Sequence, residues 1–302
     1  MGTLKILPYL DGAERAAHCH RALQIPREQA AQLGQSAVEM AESGVYRTTD
    51  GQPVSWKDAV ENACARTLSL PPDAELPVST IPAFPETRLQ VANETTLEAA
   101  RRLTEGGARM LALNFANGIQ PGGGFLNGAR AQEEVLCRTS ALYLTLRGDP
   151  MYEAHRRRAL PDASDWAILS PEVPVFRRDD GTPLDQPWRL SVLTCAAPYA
   201  PTVGQPRAGD LLQARIQRVL AIAHAYDYPA LVLGAWGCGA FENDPERTAR
   251  DFREALAETF AGAFAEVVFA IADWSPKRRF LAPFREAFAT DGSDSPGLSD
   301  AP

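Results

Sequence analysis

The chain has 302 residues, of which 45% are hydrophobic, so it can bury one large core or two ordinary ones. Its 30 lysines and arginines stand against 38 aspartates and glutamates, and the formal charge of −8 argues against a basic surface that grips nucleic acid. Five scattered cysteines without a Cys-x-x-Cys pair predict neither a disulfide framework nor a zinc site, and they favour a reducing, cytoplasmic location.

Neither a targeting signal nor a membrane span is predicted. Pro8 and Asp11 interrupt the apolar opening where a signal peptide would continue. The longest uncharged apolar run, residues 231–241, is too short to cross a bilayer. The sequence therefore predicts a soluble protein without a membrane partner.

The first part of the chain predicts a helical extension. Residues 13–64 are mainly helical in pattern, with alanine-rich helices at 30–41 and 57–65 on either side of a hairpin at Asp50-Gly51. A proline-rich segment follows, which excludes a helix interior or a central strand. It is either a linker or a strap over a surface, and the strap is favoured because nothing else resembles a hinge. The prolines are Pro71, Pro72, Pro77, Pro82 and Pro85.

Strands and helices alternate in the rest of the chain. The predicted strands are 88–92, 109–115, 166–170, 190–196, 230–236 and 266–272, and the predicted helices are 95–105, 132–147, 211–226, 245–260 and 276–289. This alternation predicts an α/β domain with a largely parallel or mixed sheet that helices cover on both faces. Ligands of such sheets bind beyond the carboxyl ends of the strands. We divide the chain into an extension with a strap (1–86), a catalytic domain (87–289) and a disordered tail (290–302), which is rich in Gly, Ser, Asp and Pro.

Three successive glycines, 122–124, follow the strand that ends in the segment Asn114 to Asn117. Three glycines cost backbone entropy that a simple turn does not require, which favours close approach of a ligand over a wide surface loop. The helix that begins at Gln132 then brings Glu133 and Glu134 to the same loop.

Glutamates in the first turn of a helix commonly serve as capping or dipole residues. Their place beside the glycine loop favours a second interpretation, in which one carboxyl group, next to another and near ligand phosphates, has a raised pKa and acts as a general acid. Adjacent helix residues diverge by about 100°, so Glu133 and Glu134 cannot flank one bond as glycosidase pairs do. We expect one glutamate to do the chemistry and the other to orient the substrate.

A second glycine-rich loop, residues 234–241, precedes a helix that begins with Asp244 as its N-cap and Pro245 in its first turn. Exposed N–H groups in such a loop suit a diphosphate, although close packing of glycine against strands is an alternative explanation. No Gly-Lys-Ser/Thr follows, and Glu242 stands where a dinucleotide fingerprint has its third glycine. The loop is therefore neither a P-loop nor a dinucleotide site.

Gly122-Gly123-Gly124, a seven-residue spacer and Gln132-Glu133-Glu134 resemble the signature of poly(ADP-ribose) glycohydrolases. The segments Asn114 to Asn117, Ser170 to Phe176 and Gly234 to Phe241 are similar to the bacterial type of that family. The resemblance runs from about residue 13 to residue 272 and implies a macrodomain-like three-layer α/β/α fold with an N-terminal helical extension. It also implies hydrolysis of the ribose–ribose O-glycosidic bonds of poly(ADP-ribose), mainly from chain ends, with release of ADP-ribose.

The resemblance also implies roles for individual residues. Glu134 would be the catalytic acid and base, and Glu133 would hold the ribose hydroxyls. The implied substrate-binding residues are Asn117, Gly122, Gly123 and Gly124 at the distal ribose, Gln132 beside them, Gly237, Cys238, Gly239 and Ala240 at the diphosphate, Phe241 at the terminal ribose, and Asn93, Glu94 and Thr95 on the adenine side.

The family needs no metal or cofactor, and no local His/Cys cluster is present in the sequence. The expected partners are ADP-ribose, poly(ADP-ribose) and poly(ADP-ribosyl)ated proteins, without direct nucleic-acid binding. We expect a monomer that reverses ADP-ribosylation in the DNA damage response.

Two other functions are compatible with these loops. A non-catalytic ADP-ribose reader would share them but has no need of an acid at the ribose, so the Gln-Glu-Glu triplet argues against it. A hydrolase of another ADP-ribose derivative, such as an acetylated or a protein-linked single unit, stays open. Two further clusters favour structural roles, because the histidines of His18-Cys19-His20 diverge on a helix and because basic runs such as 156–158 and 277–279 are usually solvated.

Overall fold

The computed structural model describes residues 2–289, so the tail predicted at 290–302 lies outside the described residues. The strands are β1 (Thr3–Ile6), β2 (Val45–Arg47), β3 (Pro53–Ser55), β4 (Leu68–Leu70), β5 (Glu86–Ala92), β6 (Met110–Ala116), β7 (Ala167–Arg177), β8 (Pro183–Ala196), β9 (Ala230–Leu233) and β10 (Glu266–Ala270). The helices are α1 (Ala13–Leu23), α2 (Arg27–Ser43), α3 (Lys57–Arg66), α4 (Thr96–Glu105), α5 (Gln132–Thr139), α6 (Leu142–Leu146), α7 (Pro150–Arg156), α8 (Ala200–Val203), α9 (Arg207–Ala225), α10 (Pro245–Ala257) and α11 (Leu281–Ala287).

Eight strands form one sheet in the order β1-β5-β10-β9-β6-β8-β7-β4, and β2 and β3 form the predicted separate hairpin. In this order, each strand from β1 through β5, β10, β9 and β6 to β8 runs parallel to the next. β7 is antiparallel to β8, and β4 is antiparallel to β7. Successive side chains of β9 enter two different apolar clusters, since Val232 belongs to the cluster that includes Leu97 of α4 and Leu233 to the one that includes Ile216 of α9. Helices thus cover both faces, which confirms the predicted three-layer α/β/α fold.

Two strands from the first part of the chain belong to this sheet. β1 pairs with β5 at one edge, and β4 pairs with β7 at the other. Neither was predicted, because strands of three or four residues are too short to show an alternating pattern. The 1–86 extension therefore contributes to the central sheet, and its boundary with the catalytic domain stays a prediction.

The proline-rich segment 71–85 lies against α9 and the loop after it. Arg218 of α9 donates to the carbonyl of Pro71 at 3.0 Å. Asp227 accepts hydrogen bonds from the Ser79 hydroxyl and from the backbone N–H of Thr80, both at 2.8 Å. These contacts hold the segment on the face of the sheet that α9 covers.

The helix predicted at 132–147 is interrupted between α5 and α6. Ser140 has an extended backbone, with φ −143°, and forms a bridge with Val175 of β7. The N–H of Ala141 donates to the carbonyl of Pro174 at 3.1 Å. Pairing with β7 therefore takes backbone groups that would otherwise continue the helix.

Strands β7 and β8 form a hairpin that is longer than predicted. Prolines conceal the strand pattern, since Pro171 and Glu172 lie at a register shift between Ser170 and Val173. A bulge of this kind accommodates a proline within a strand. The turn of the hairpin, residues 178–182, carries Asp179.

The last helix is shorter than the prediction of 276–289. The carboxylate of Asp273 accepts hydrogen bonds from the N–H groups of Ser275 at 2.9 Å and Phe280 at 2.8 Å. These bonds hold the intervening residues in a loop, so α11 begins only at Leu281.

Candidate active site

A cavity of about 410 Å³ lies beyond the carboxyl ends of the parallel strands, as the fold predicts. Small residues at or just after the ends of four strands contribute to its wall, and their size leaves room for a ligand. They are Ala116 at the end of β6, Ala197 after β8, Ala235 after β9 and Ala270 at the end of β10. Its volume falls in the range of small-molecule sites, about 300–1,000 Å³.

Glu133 is buried in the cavity wall with both carboxylate oxygens held. Its Oε2 accepts a hydrogen bond from the N–H of Asn117 at 2.7 Å. Its Oε1 accepts from the N–H of Gly122 at 3.2 Å and lies 3.5 Å from the side-chain amide of Asn114. Donors from the end of β6 and from the glycine loop therefore fix the orientation of this side chain.

Glu134 also lines the cavity, but one of its oxygens is free. Its Oε1 accepts from the N–H of Gly124 at 3.0 Å. Its Oε2 is buried and has no hydrogen-bond partner among residues 2–289. Buried polar atoms are nearly always hydrogen-bonded, so the unpartnered Oε2 beside the cavity is an exception that suits a functional role.

The glycine loop packs directly behind the two carboxylates. Gly122 and Gly123 have φ +71° and +56°, and a Cβ added to Gly123 would lie 2.5 Å from Glu134 Oε1 and 3.0 Å from Glu133 Oε2. Although adjacent helix side chains diverge by about 100°, both carboxylates thus converge on this one glycine. The carboxylates thus account for the missing side chain of Gly123, whereas a Cβ at Gly122 would lie 2.8 Å from the ring of Phe125 and one at Gly124 would lie 2.9 Å from Ala129 Cβ.

Burial raises the pKa of Glu133 to about 8. The N–H of Asn117 opposes this effect, and the negative charge of Glu134 adds to it. Burial of the two neighbouring carboxyl groups therefore favours a proton held within this pair at neutral pH.

The loop 234–241 forms another wall of the cavity. The N–H groups of Gly237, Gly239 and Ala240 have no acceptor in the part of the chain that the structure describes. The amide of Asn243 donates to the carbonyl of Gly237 at 3.2 Å and holds the loop in place. Asp244 and Pro245 begin α10 as predicted. Free N–H groups in a glycine-rich loop can bind the oxygens of a diphosphate.

The model of the microbial-type PARG catalytic domain, where PARG denotes poly(ADP-ribose) glycohydrolase, matches residues 34–178. The crystal structure of poly(ADP-ribose) glycohydrolase from Thermomonospora curvata superposes with a TM-score of 0.80 and 41% identity, covering 86% of this chain and 100% of that one. The chain belongs to the poly(ADP-ribose) glycohydrolase family.

Other members of the poly(ADP-ribose) glycohydrolase family were solved with ligands. The Thermomonospora curvata protein bound to the inhibitor ADP-HPD has a TM-score of 0.80 and 40% identity, covering 86% of this chain and 100% of that one. The Deinococcus radiodurans protein in complex with ADP-ribose has a TM-score of 0.69 and 37% identity, covering 78% of this chain and 98% of that one. Among curated proteins, none matches the chain.

The residues that the glycohydrolase signature implies largely meet at one cavity. Its described lining includes Glu94 and Thr95 after β5, Asn117 after β6, Gln132, Glu133 and Glu134 in α5, and Gly237, Gly239, Ala240 and Phe241. The side-chain oxygen of Asn117 accepts hydrogen bonds from the N–H groups of Ile119 and Gln120, which stabilises the turn that follows β6. The catalytic and binding roles of these residues stay predictions.

Gln132 lines the cavity, but strand β6 engages its side-chain amide. Its Nε2 donates to the carbonyl of Leu113 at 2.7 Å, and its Oε1 accepts from the N–H of Phe115 at 2.9 Å. β6 pairs with β9 only as far as Ala112, so these backbone groups lie beyond the part of the strand that pairs with β9. Gln132 thus positions the strand end that leads to Asn117.

Asn93 does not reach the cavity, unlike Glu94 and Thr95, which follow it. Its amide donates to the carbonyl of Asp273 at 2.7 Å and to the carboxylate of Asp11 at 2.8 Å. Asn93 therefore links the end of β5 to the loop after β10. Its amide N–H groups already have acceptors within the protein.

Cys238 also points away from the described lining of the cavity. Its thiol lies 3.6 Å from the carbonyl of Trp236, and its N–H donates to Ala235 at 3.2 Å. Burial raises the pKa of the thiol to about 12. Neither its side chain nor its N–H is free for a diphosphate, in contrast to Gly237 and Gly239.

Several residues of the cavity wall were missed by sequence reasoning. They are Leu23 of α1, Arg130, Asp179 of the β7–β8 turn, and Trp274 and Phe280 after β10. Trp274 follows the carboxyl end of a parallel strand, so the predicted topology could have indicated it. Leu23 and Asp179 come from distant segments that no local pattern connects to the glycine loops.

The His18-Cys19-His20 cluster separates on α1. His18 contacts Glu98, the buried thiol of Cys19 lies 3.8 Å from the carbonyl of Asn93, and His20 packs on Trp274 with ring centroids 5.2 Å apart. Across residues 2–289, His, Cys, Asp and Glu side chains form no group of three that could hold a metal ion. Within the same range, no helix has the length and apolar character needed to cross a bilayer.

The two basic runs are held by intramolecular ion pairs. Arg156 and Arg157 pair with Glu153 at 3.0 and 2.9 Å in exposed positions. Arg278 is more buried and pairs with Asp11 at 3.0 Å. Intramolecular carboxylates therefore partner these three arginines.

We expect the raised pKa of Glu133 to appear as a pH dependence of stability. The folded protein keeps a proton up to about pH 8 that the unfolded chain releases near its ordinary pKa of 4.5. Between these values, this group lowers the free energy of unfolding by about 1.4 kcal/mol for each pH unit of increase. Urea denaturation of Glu133→Gln across this window should therefore give a flatter pH dependence than the wild type.

Glu153→Gln on the exposed surface of α7 is the matched control and should keep the wild-type slope. Asp179, whose pKa burial raises to about 7, contributes equally to all three proteins. Equal slopes for Glu133→Gln and the wild type would show that Glu133 is ionised in the folded protein.

Proposed function

We propose that this chain hydrolyses the ribose–ribose O-glycosidic bonds of poly(ADP-ribose), mainly from chain ends, and releases ADP-ribose. The observation that carries the proposal is the unpartnered, buried Oε2 of Glu134 at the wall of a cavity that also offers free N–H groups. Membership of the glycohydrolase family supports the reaction, and the ADP-ribose complex of the Deinococcus radiodurans relative supports the ligand.

The substrate would lie between the 234–241 loop and the two glutamates of α5. Its diphosphate would accept hydrogen bonds from the N–H groups of Gly237, Gly239 and Ala240, which are free in the described structure. The terminal ribose would then reach Glu133 and Glu134. Backbone donors can hold one polymer end without a basic surface, which is compatible with the charge of −8.

In this proposal Glu134 acts first as an acid and then as a base. Its Oε2 gives a proton to the departing ribose oxygen while the glycosidic C–O bond breaks and positive charge develops on the terminal ribose. The resulting carboxylate then takes a proton from water, whose oxygen bonds to the same carbon. Glu133, held at both oxygens, orients the ribose hydroxyls, because fixed groups can position a substrate with little loss of entropy.

We further propose a cytoplasmic monomer that acts on poly(ADP-ribosyl)ated proteins. All five cysteines are free thiols, which suits a reducing compartment. No separate protein-binding surface is needed for the reaction at the polymer end.

Incubation with protein-linked polymer, labelled along its length, tests the activity. We expect chains to shorten and ADP-ribose to accumulate, with one unit left on the protein. A reader would leave the chain length unchanged. A mono-modified protein is the matched second substrate, and its faster cleavage would contradict the polymer assignment.

A further inference from the structure

The last turn of α7 binds the 117–120 turn, which follows β6. The imidazole of His155 is buried, and its Nδ1 lies 2.9 Å from the carbonyl oxygen of Gly118. The next residue, Arg156, is exposed and donates to the carbonyl of Ile119 at 2.6 Å. Two successive carbonyl groups of the 117–120 turn are therefore held by one end of a helix that contributes nothing to the described lining of the cavity.

The hydrogen-bond partners of His155 fix its protonation state. A carbonyl oxygen can only accept, so Nδ1 carries a proton and donates it to Gly118. On the other side of the ring, Nε2 lies 3.1 Å from the backbone nitrogen of Ser164 and 2.7 Å from its hydroxyl oxygen. A backbone N–H can only donate, so Nε2 is the acceptor. His155 is thus neutral, and it links the 117–120 turn to the loop that leads to β7.

The surroundings of the ring favour the same neutral form. Burial lowers the pKa of His155, and the positive charges of Arg215 and Arg158 act in the same direction. The Gly118 carbonyl and the negative charge of Asp162 oppose these effects. The carboxylate of Asp162 is itself paired with Arg158 at 2.6 Å. Nδ1 therefore keeps its role as a donor to Gly118 throughout the neutral pH range.

The 117–120 turn connects the surroundings of both glutamates. At its first residue, the N–H of Asn117 donates to Glu133 Oε2 at 2.7 Å. At its last residue, the carbonyl of Gln120 accepts from the N–H of Gly123 at 3.0 Å, and Gly123 packs on both carboxylates. A shift of this turn would therefore displace a donor of Glu133.

The turn also packs closely on the ring and on the end of β8. A Cβ added to Gly118 would lie 3.3 Å from His155 Nδ1 and 3.2 Å from Ala196 Cβ. Packing limits the distance between these elements, and the hydrogen bond from Nδ1 sets the direction of the Gly118 carbonyl. The same peptide plane follows Asn117 by one residue, so its direction affects the Asn117 N–H.

We propose that His155 is a positioning residue for hydrolysis, whose Nδ1–H holds the Gly118 carbonyl and thereby keeps the Asn117 N–H on Glu133. The inference rests on the proposed function, which supplies the reaction. His155 acts through the turn and does not touch the substrate. Its loss should therefore lower kcat and leave the affinity for ADP-ribose nearly unchanged, because the free N–H groups of the 234–241 loop stay in place.

Two substitutions separate the two hydrogen bonds of the ring. In His155→Asn the amide nitrogen can take the position of Nδ1 and still donate to Gly118, whereas the acceptor for Ser164 is lost. In His155→Gln the longer amide can place its oxygen at the position of Nε2 and accept from Ser164, whereas Gly118 loses its donor. Both variants replace a buried ring by a smaller group, so both should have a lower free energy of unfolding in urea.

Steady-state assays with poly(ADP-ribose), at a temperature where both variants are folded, measure the effect on turnover. We expect His155→Gln to lower kcat by about tenfold or more and His155→Asn to stay within about threefold of the wild type. Calorimetry should give Kd values for ADP-ribose within about threefold of the wild type for both. Ser164→Ala keeps its backbone N–H on Nε2, and this matched control should retain the wild-type kcat.

The difference in kcat between the two variants decides the assignment. A merely structural role would change the stability of both variants and leave their kcat values equal, and equal values, high or low, would overturn the inference. A wild type that shortened no polymer would overturn the proposed function as well, so the two failures are distinguishable.

Discussion

Replacing Glu134 by glutamine should lower kcat on poly(ADP-ribose) on the order of a thousandfold. Glutamine keeps the shape of the side chain and can still accept from the N–H of Gly124, but its amide cannot deliver a proton to the departing ribose oxygen. Because the free N–H groups of the 234–241 loop are unchanged, the Kd for ADP-ribose should change by less than about threefold. Single-turnover assays with polymer and calorimetry with ADP-ribose measure the two quantities.

A control variant and two alternative outcomes show how the loss of turnover in Glu134→Gln is to be interpreted. Glu153→Gln, exposed on α7, should leave both kcat and Kd at wild-type values. Glu134→Gln that retained near-normal turnover would exclude Glu134 as the acid and base. Loss of ADP-ribose binding together with turnover would instead indicate that Glu134 serves mainly to bind the ribose.

Gly123→Ala should reduce both turnover and stability. At φ +56° an L-residue costs about 1–2 kcal/mol, and the added Cβ would lie 2.5 Å from Glu134 Oε1 and 3.0 Å from Glu133 Oε2. One carboxylate must then move out of place, and a displacement of about 1 Å can cost roughly a hundredfold in rate. We expect kcat to fall by at least about a hundredfold in polymer assays, with a lower free energy of unfolding in urea.

Gly148→Ala separates the two causes. Gly148 also has a positive φ, +86°, but a Cβ there meets nothing within 4 Å. This variant should lose a similar 1–2 kcal/mol of stability and keep wild-type kcat. If Gly123→Ala behaved in the same way, the close packing of the glycine loop on the carboxylates would have no part in the reaction.

Local patterns explain why so much of the cavity could be predicted. Each glycine loop follows an apolar strand and precedes a helix, so the topology of an α/β sheet brings both loops to one edge. The spacing from Gly124 to Gln132 is likewise contained in a short stretch of sequence. The fold and the position of Glu133 and Glu134 follow from features of this kind.

The parts that were not predicted depend on contacts between distant segments. β1 is recognisable only from its pairing with β5, and Asp179 reaches the cavity only because the β7–β8 hairpin is long. The close approach of the glycine triplet to a ligand stays a prediction, and sequence reasoning missed that Gly123 packs on carboxylates whose positions depend on the docking of α5. Hydrogen-bond partners such as that of Asn93, 180 positions along the chain, leave no signal in the local pattern.

The side chain of Gln132 completes the hydrogen bonding where two neighbouring strands of the sheet, β6 and β9, cease to pair. Once β6 and β9 separate beyond Ala112, the exposed edge of β6 would need another strand or water to satisfy its backbone. A single amide, offering one donor and one acceptor, takes the place of that strand at Leu113 and Phe115. One side chain of α5 therefore satisfies the backbone at the end of β6, and the cavity beyond the strands needs no further strand to close that edge.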